Sequence, residues 1–403
     1  MSTARALHSL PPHVPPELVV DFDFYHVPAP DGDLHEGFRR VRSSAPEVFW
    51  TPRNGGHWVA NRGELIREVY SDSTRFSSRH MSIPAEGALE LMPPVTLDPP
   101  AHTAYRNLIA PRFAPKAISA LTDRVRQLTI NLIEGFKHKG ECEFIGDFAL
   151  KMPIGVFLGL VDLPQSDAPE LLRFAEISTR GSDPVEIQAN FAWVAEYLRD
   201  KLEERKRHPR EDLLSLIANA VIDGKPITPE ATIGTCVVIL SAGLDTVAST
   251  FGFVTRFLAL SPAHRRQLIE QPEIVPGAVE ELLRRFAVTN LARTVIRDME
   301  WHNVKLKAGE MVLCSGAIGN LDPEVYDDPL TVNFSRANAG NNVGFGAGPH
   351  RCVGSFLARN ELRIFLEEWL ARIPDFQIKP GAEIETVSGK VNTVKYLPLV
   401  WKV

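Results

Sequence analysis

Hydrophobic positions along this chain recur mostly with the period of a helix. Ile118, Leu121, Val125, Leu128 and Leu132 fall at spacings of three and four, one face of an α-helix. Leu357, Ala358, Leu362, Phe365, Leu366, Trp369 and Leu370 form a second stripe of the same kind. Residues 197–207 read as a helix with a basic end, stopped by Pro209, and a further helix covers 280–286. The run Arg205-Lys206-Arg207 is expected to be a solvated helix terminus, where cations suit the macrodipole. The longest apolar stretch, 234–254, is interrupted by Asp245. A charge at that depth is expensive in a bilayer, so the stretch reads as a helix buried in protein.

Strand signals are short and few. Val48–Thr51 and His57–Ala60 flank Asn54-Gly55-Gly56, a hairpin pattern. Val304–Leu306 and 311–313 read as a strand pair turned by Lys307-Ala308-Gly309. The pattern predicts a mainly α fold with a minor β part. No Ser/Gly linker, repeat or composition shift divides it, so 1–403 reads as a single domain.

Composition narrows the function classes. The chain has 403 residues, 44% apolar and 23% charged, as ordinary globular proteins have. A net charge of −6 gives no electrostatic case for a nucleic-acid partner. Residues 1–24 are proline-rich and lack the apolar run of a signal peptide or anchor, so no membrane is expected and the location reads as cytoplasmic. The four cysteines are Cys142, Cys236, Cys314 and Cys352. None stands in C-x-x-C spacing, which leaves zinc ribbons and thioredoxin-like chemistry unsupported, and no C-x-x-C-H attaches a haem covalently. Three of them read as small buried hydrophobes.

Cys352 differs from the others in its surroundings. Residues 345–354 run Phe-Gly-Ala-Gly-Pro-His-Arg-Cys-Val-Gly, a tight loop whose glycines let backbone approach a flat ligand. The helical stripe beginning at Leu357 puts Cys352 at or just before a helix N-terminus, where unpaired N–H groups and the dipole favour a thiolate. A structural cysteine in a Gly-rich turn is the competing reading; the density of glycines beside His350 and Arg351 weighs against it.

The stretch F-G-x-G-x-H-x-C-x-G resembles the haem-binding signature of the cytochrome P450 family. Ala242-Gly243-Leu244-Asp245-Thr246 resembles the family's oxygen-activating motif and Glu281-Leu282-Leu283-Arg284 its E-x-x-R pair, in the same order along the chain. The resemblance extends over nearly the whole chain and is strongest to soluble bacterial members of the camphor 5-monooxygenase type. It implies the P450 fold, a triangular-prism helical bundle around haem with a small β-sheet region. It also implies haem b, with Cys352 as the thiolate ligand of the iron.

The resemblance implies roles for further residues. Asp245 and Thr246 would deliver protons during dioxygen cleavage, and Gly243 would leave room for oxygen beside the helix. His102, Arg106, Arg293 and His350 match positions that hold the haem propionates, and Phe345 opens the cysteine loop against the cofactor. Glu281 and Arg284 would form a buried structural pair. Pocket positions would be Leu89, Met92, Val238, Ser241, Leu244, Thr289, Val391 and Asn392, mostly apolar, suited to a small hydrophobic substrate. Three departures separate the chain from the camphor type. No tyrosine stands in the segment before Asp98-Pro99-Pro100, Leu291 replaces a propionate-side acid, and Arg79 replaces a cation-associated acid. A terpenoid of the ionone type is therefore expected to be preferred over camphor. No flavin or Fe–S motif is present, so the resemblance implies electrons from a [2Fe–2S] ferredoxin and an FAD-containing, NADH-linked reductase. The ferredoxin would dock near Arg106, Arg351 and Val353. Two other classes stay open here: a haem-thiolate peroxygenase, which can dispense with the acid–alcohol pair, and a non-catalytic haem-binding or gas-sensing protein, which needs no proton relay.

Overall fold

The apolar stretch around Asp245 is the axis of the fold. In the computed structural model, which describes residues 8–85, 91–180 and 183–403, it runs from Pro229–Leu260. Thr228 caps it by accepting from the Ala231 N–H at 3.2 Å, and Pro229 occupies the first turn, where a missing N–H costs nothing. By length and apolarity this helix could cross a membrane, but 67% of its most apolar window is buried against other parts of the chain.

Two apolar cores share this helix. Its first half places Cys236, Val237, Leu240 and Leu244 among side chains from the helices Lys151–Val161, Ala168–Arg180, Pro184–Arg207 and Leu213–Ala218. Its second half places Ala248, Phe251, Val254 and Leu258 in the larger core. There Phe148, Phe251, Phe365 and Trp369 meet with ring centroids 5.0 to 6.0 Å apart. Such pairs add about 0.5–1.5 kcal/mol each beyond area burial and fasten the helix Ser355–Arg372 to the core helix.

The helix Pro115–Lys137 forms where periodicity predicts it, but its fully buried line is Ile118, Val125, Thr129, Ile133 and Phe136. Leu121, Leu128 and Leu132 flank that line, because the helix packs against Ser355–Arg372 on one side and Lys151–Val161 on the other. The helix predicted over 280–286 runs Val275–Arg285.

Five strands form the main sheet, in the order Val48–Thr51, His57–Ala60, Met311–Ser315, Asn290–Val295, Phe76–Ser77. The hairpin forms as expected, pairing Val48 with Ala60 and Thr51 with His57. Asn54, Gly55 and Gly56 all take positive φ in its turn, which explains that tripeptide. The second expected pair does not form. Val304–Leu306 pairs instead with Met299–Trp301, across a turn of His302 and Asn303 at φ 46° and 63°. Met311–Ser315 lies in the main sheet, parallel to His57–Ala60 and antiparallel to Asn290–Val295. Every residue of this strand is buried, so it needs partners on both edges rather than a single hairpin mate. The basic helix end also departs from expectation. Arg205 is buried, with Nε donating to Asp212 Oδ2 at 2.7 Å and Nη2 to the Asp162 carbonyl at 2.9 Å.

Candidate functional site

Cys352 sits two residues ahead of Gly354, the N-cap of the helix Ser355–Arg372. Its N–H donates to the Phe345 carbonyl at 2.8 Å, closing the loop. Gly348 takes φ 64°, and a methyl there would stand 2.6 Å from Ser71 Cα and 2.8 Å from the Tyr70 carbonyl oxygen. Only glycine fits. Cys142, Cys236 and Cys314 are buried and their thiols are pushed up by burial, Cys314 to about 12. Cys352 alone is exposed. Surrounding protein pushes its thiol up too, but the Gly354 N–H and the charges of Arg106, Arg351 and Arg359 pull it back.

The core helix is least covered between its two cores. Ala242 is exposed, while Gly243 and Thr246 are half-buried. A methyl on Gly243 would meet nothing within 4 Å, so the position borders open space. Thr246 Oγ1 donates to the Ala242 carbonyl at 2.9 Å, and Thr250 Oγ1 to the Thr246 carbonyl at 2.8 Å. Such back-bonds tend to bend a helix. Asp245, beside Thr246, is buried at 2% exposure.

The four residues expected to meet an anion, two histidines and two arginines, come together. His102 and Arg106 lie one turn apart on the helix Ala101–Ile109. The His102 and His350 rings stand 4.2 Å apart, tilted by 52°. Both ring nitrogens of His102, and Nε2 of His350, are buried without a hydrogen-bond partner among the described residues. Burial, then Arg293, His102 and Arg106, push His350 down to about 3, and burial followed by Arg106 lowers His102. Arg293 is buried over the Tyr70 ring at 4.9 Å, its Nη1 donating to the Ala292 carbonyl at 2.8 Å. Arg106 Nη2 donates to the Arg351 carbonyl at 2.5 Å, which ties this cluster to the cysteine loop. Buried donors with capacity to spare call for an acceptor, and a buried dianion is the acceptor this set suits. Among the described residues no three His, Cys, Asp or Glu side chains could cage an ion. A flat, dianionic macrocycle bringing its own iron ligands fits the accessible thiol, the glycine loop and these donors. Phe345 lies under the Arg359 guanidinium at 4.6 Å.

The pocket positions are met unevenly. Leu89 lies outside the described residues. Met92, Ser241, Thr289 and Val391 are half-buried, with Thr289 and Val391 joined by an isolated bridge, and Val238 is mostly covered at 8%. Leu244 is a correction: it is 1% exposed and packs in the first-half core, on the far side of the helix from open space. Asn392 is another. It is fully buried, its Oδ1 accepting from Asn290 Nδ2 at 2.9 Å and from the Gly389 N–H at 3.3 Å, so it pins the loop that presents Val391.

Sequence reasoning missed the partners that complete the Glu281–Arg284 pair. Glu281 also accepts from the Asn333 N–H at 2.9 Å and Arg336 Nε at 3.1 Å, and Arg284 donates to the carbonyls of Asn320 and Pro329. No local pattern marks residues 36 to 55 positions downstream. It also missed Glu361, buried on the cysteine-side helix and pushed up to about 8 by burial.

The family model described as Cytochrome P450 matches residues 185–395. A probable cytochrome P450 127A1 of Sinorhizobium fredii strain NGR234 is 35% identical, covering 97% of each chain. A steroid C26-monooxygenase of Mycolicibacterium smegmatis is 29% identical over 88% of this chain and 89% of its own. Among solved structures, that of CYP101J2 superposes with a TM-score of 0.92 at 37% identity, covering 98% of this chain and all of its own. The structure of CYP101C1 gives 0.90 at 32% identity with the same coverage.

Proposed function

Because the chain belongs to the cytochrome P450 family, whose members bind haem b through a cysteine thiolate, we propose that Cys352 is that ligand in a monooxygenase of small hydrophobic substrates. The observation that carries this reading is the junction of two features. The exposed cysteine adjoins a cluster of buried His102 and Arg293 with half-buried His350 and Arg106, in which His102 and His350 have unpartnered ring nitrogens. His102, His350, Arg293 and Arg106 would hold the propionates, and Phe345 and Gly348 would shape the cysteine side. When bound, the haem supplies the iron at which dioxygen is activated, and an electron-rich thiolate favours O–O cleavage.

The chain's own residues do the rest. Asp245, buried on the core helix, would take protons from outside and pass them toward Thr246. The Thr246 hydroxyl, now donating to the Ala242 carbonyl, would turn or share that bond to hold a water on the reacting side. Open space beside Gly243 admits a small molecule there. Met92, Val238, Ser241, Thr289 and Val391 would enclose substrate, excluding water and holding it by apolar burial.

An ionone-type terpenoid is favoured over camphor, on the absence of any tyrosine between Arg79 and Asp98. Electrons would come from a [2Fe–2S] ferredoxin reduced by an FAD-containing, NADH-linked reductase. That partner would dock where Arg106, Arg351 and Val353 approach Cys352. The two cores threaded by one helix support reading 1–403 as a single domain. A net charge of −6 gives no electrostatic case for a nucleic-acid partner, and a cytoplasmic location without a membrane is proposed on the mostly buried apolar helix that carries Asp245.

The test is a spin-state titration of the haem-loaded protein with camphor and with an ionone, followed by product analysis with a reconstituted ferredoxin chain. Tighter ionone binding and a hydroxylated product are expected. Equal or tighter camphor binding would remove the substrate assignment. Turnover with hydrogen peroxide and none with the ferredoxin chain would point to a peroxygenase.

A further inference from the structure

The core helix carries one glycine that touches the main chain of another segment. A methyl on Gly234 would lie 2.0 Å from the Leu91 carbonyl oxygen, 3.1 Å from its carbon and 3.3 Å from Met92 Cα. All three atoms are backbone, so no side-chain rotation could relieve the clash. Gly243, nine residues on, behaves oppositely and faces open space.

The segment resting on Gly234 is folded on itself at Met92 and tied to a neighbouring strand at its far end. The Met92 N–H donates to Thr96 Oγ1 at 2.9 Å, and the Met92 carbonyl accepts from the Val95 and Thr96 N–H groups at 2.9 and 3.2 Å. At the far end Asp98 accepts from Ser77 Oγ at 2.5 Å and the Ser78 N–H at 2.8 Å. Residues 92–97 therefore form a folded strap, pinned through Asp98 to Ser77 and Ser78 and seated on the core helix at Gly234. Gly234, Val238, Ser241 and Asp245 share one helical face, at spacings of four, three and four. The strap's height above Gly234 thus sets how closely Met92 approaches Val238 and Ser241.

We propose that Gly234 is a specificity-determining positioning residue, which by lacking a side chain fixes the strap 92–97 and the size of substrate admitted beside it. This rests on the pocket assignment under the proposed function. Gly234→Ala would lift the strap from the helix and open the pocket at Met92. Thr96→Val would loosen the same strap without touching the core helix.

The experiment is hydrogen exchange over residues 91–98 in the haem-loaded protein, paired with dissociation constants for camphor and an ionone. Both variants are expected to load haem with the parent's Soret band. Exchange at 91–98 should quicken, and the ratio of the two dissociation constants should move about tenfold or more toward the larger ligand. Unchanged exchange in the variants that load haem would overturn the proposal, and so would faster exchange with an unchanged ratio. If Gly234→Ala fails to load haem, Thr96→Val decides alone. Failure of the underlying reading is separately visible, as a parent protein without a thiolate-haem spectrum.

Discussion

Glu281 and Arg284 clasp each other one helical turn apart with neither side chain exposed, Nε to Oε2 at 2.7 Å and Nη2 to Oε1 at 2.8 Å. The pair also reaches Asn320, Pro329, Asn333 and Arg336, so it joins the helix Val275–Arg285 to the chain leading into the cysteine loop. Breaking a buried pair strands a charge and costs about 3–5 kcal/mol. Glu281→Ala and Arg284→Ala should each lower stability by that order in urea unfolding, with haem content falling in parallel. Replacing both together should cost less than the sum of the two single changes.

Cys352→Ser tests the ligand directly. The hydroxyl keeps the loop's shape but is a poor iron donor. The variant should fold with the parent's far-ultraviolet spectrum, lose most monooxygenase turnover, and shift the Soret band of its ferrous carbon-monoxide adduct. An unshifted band would place the ligand elsewhere.

Asp245 and Thr246 should separate by what fails. Asp245→Asn keeps size and removes the ionisable group, so turnover should fall by about 10²–10⁴ while substrate affinity stays within twofold or so. Thr246→Ala should continue to consume NADH but divert it, raising peroxide release per product formed. Measuring NADH, peroxide and product together distinguishes the two.

His350 and His102 present neutral donors in a cluster that also holds two guanidiniums. His350→Phe retains the ring packing of the 4.2 Å pair and removes the donor. A hydrogen bond to a charged acceptor is worth about 1.5–3 kcal/mol, so haem transfer to apomyoglobin should quicken by roughly 10–150-fold. An unchanged transfer rate would remove His350 from the propionate set.

Glu361 predicts a loss of stability as pH rises from about 4.5 to about 8. Its carboxyl is held near pKa 8 by burial alone, against an ordinary value of 4.5. The folded state keeps a proton that the unfolded state releases, so this group's contribution to stability is full below about pH 4.5 and declines as pH rises toward 8. The slope is about 1.4 kcal/mol per pH unit for one proton. Glu361→Gln should flatten that part of the profile, read from urea midpoints between pH 5 and 8.

Much of the site was legible in the sequence because its parts are local. The cysteine loop is written in consecutive residues whose glycines answer to backbone positions such as Gly348, and His102 and Arg106 meet through one helical turn. The helices around 118–132 and 357–370 follow from period alone. One residue that carries chemistry also resists disguise: a carboxylate inside a long apolar helix is costly enough to need a reason.

What tertiary structure decided is wherever an element had to choose among distant partners. Met311–Ser315 carries no mark saying that it joins His57–Ala60 rather than Val304–Leu306; burial on both faces makes that choice. Arg205 reads as a surface cation until Asp212 and the Asp162 carbonyl close over it. Leu244 and Asn392 stand at pocket positions in the sequence, but helix rotation buries one and a ladder of amide bonds withdraws the other. The contact of Gly234 with Leu91 spans 143 positions. A glycine in a helix states only that a side chain is missing, and the backbone lying against it supplies the reason.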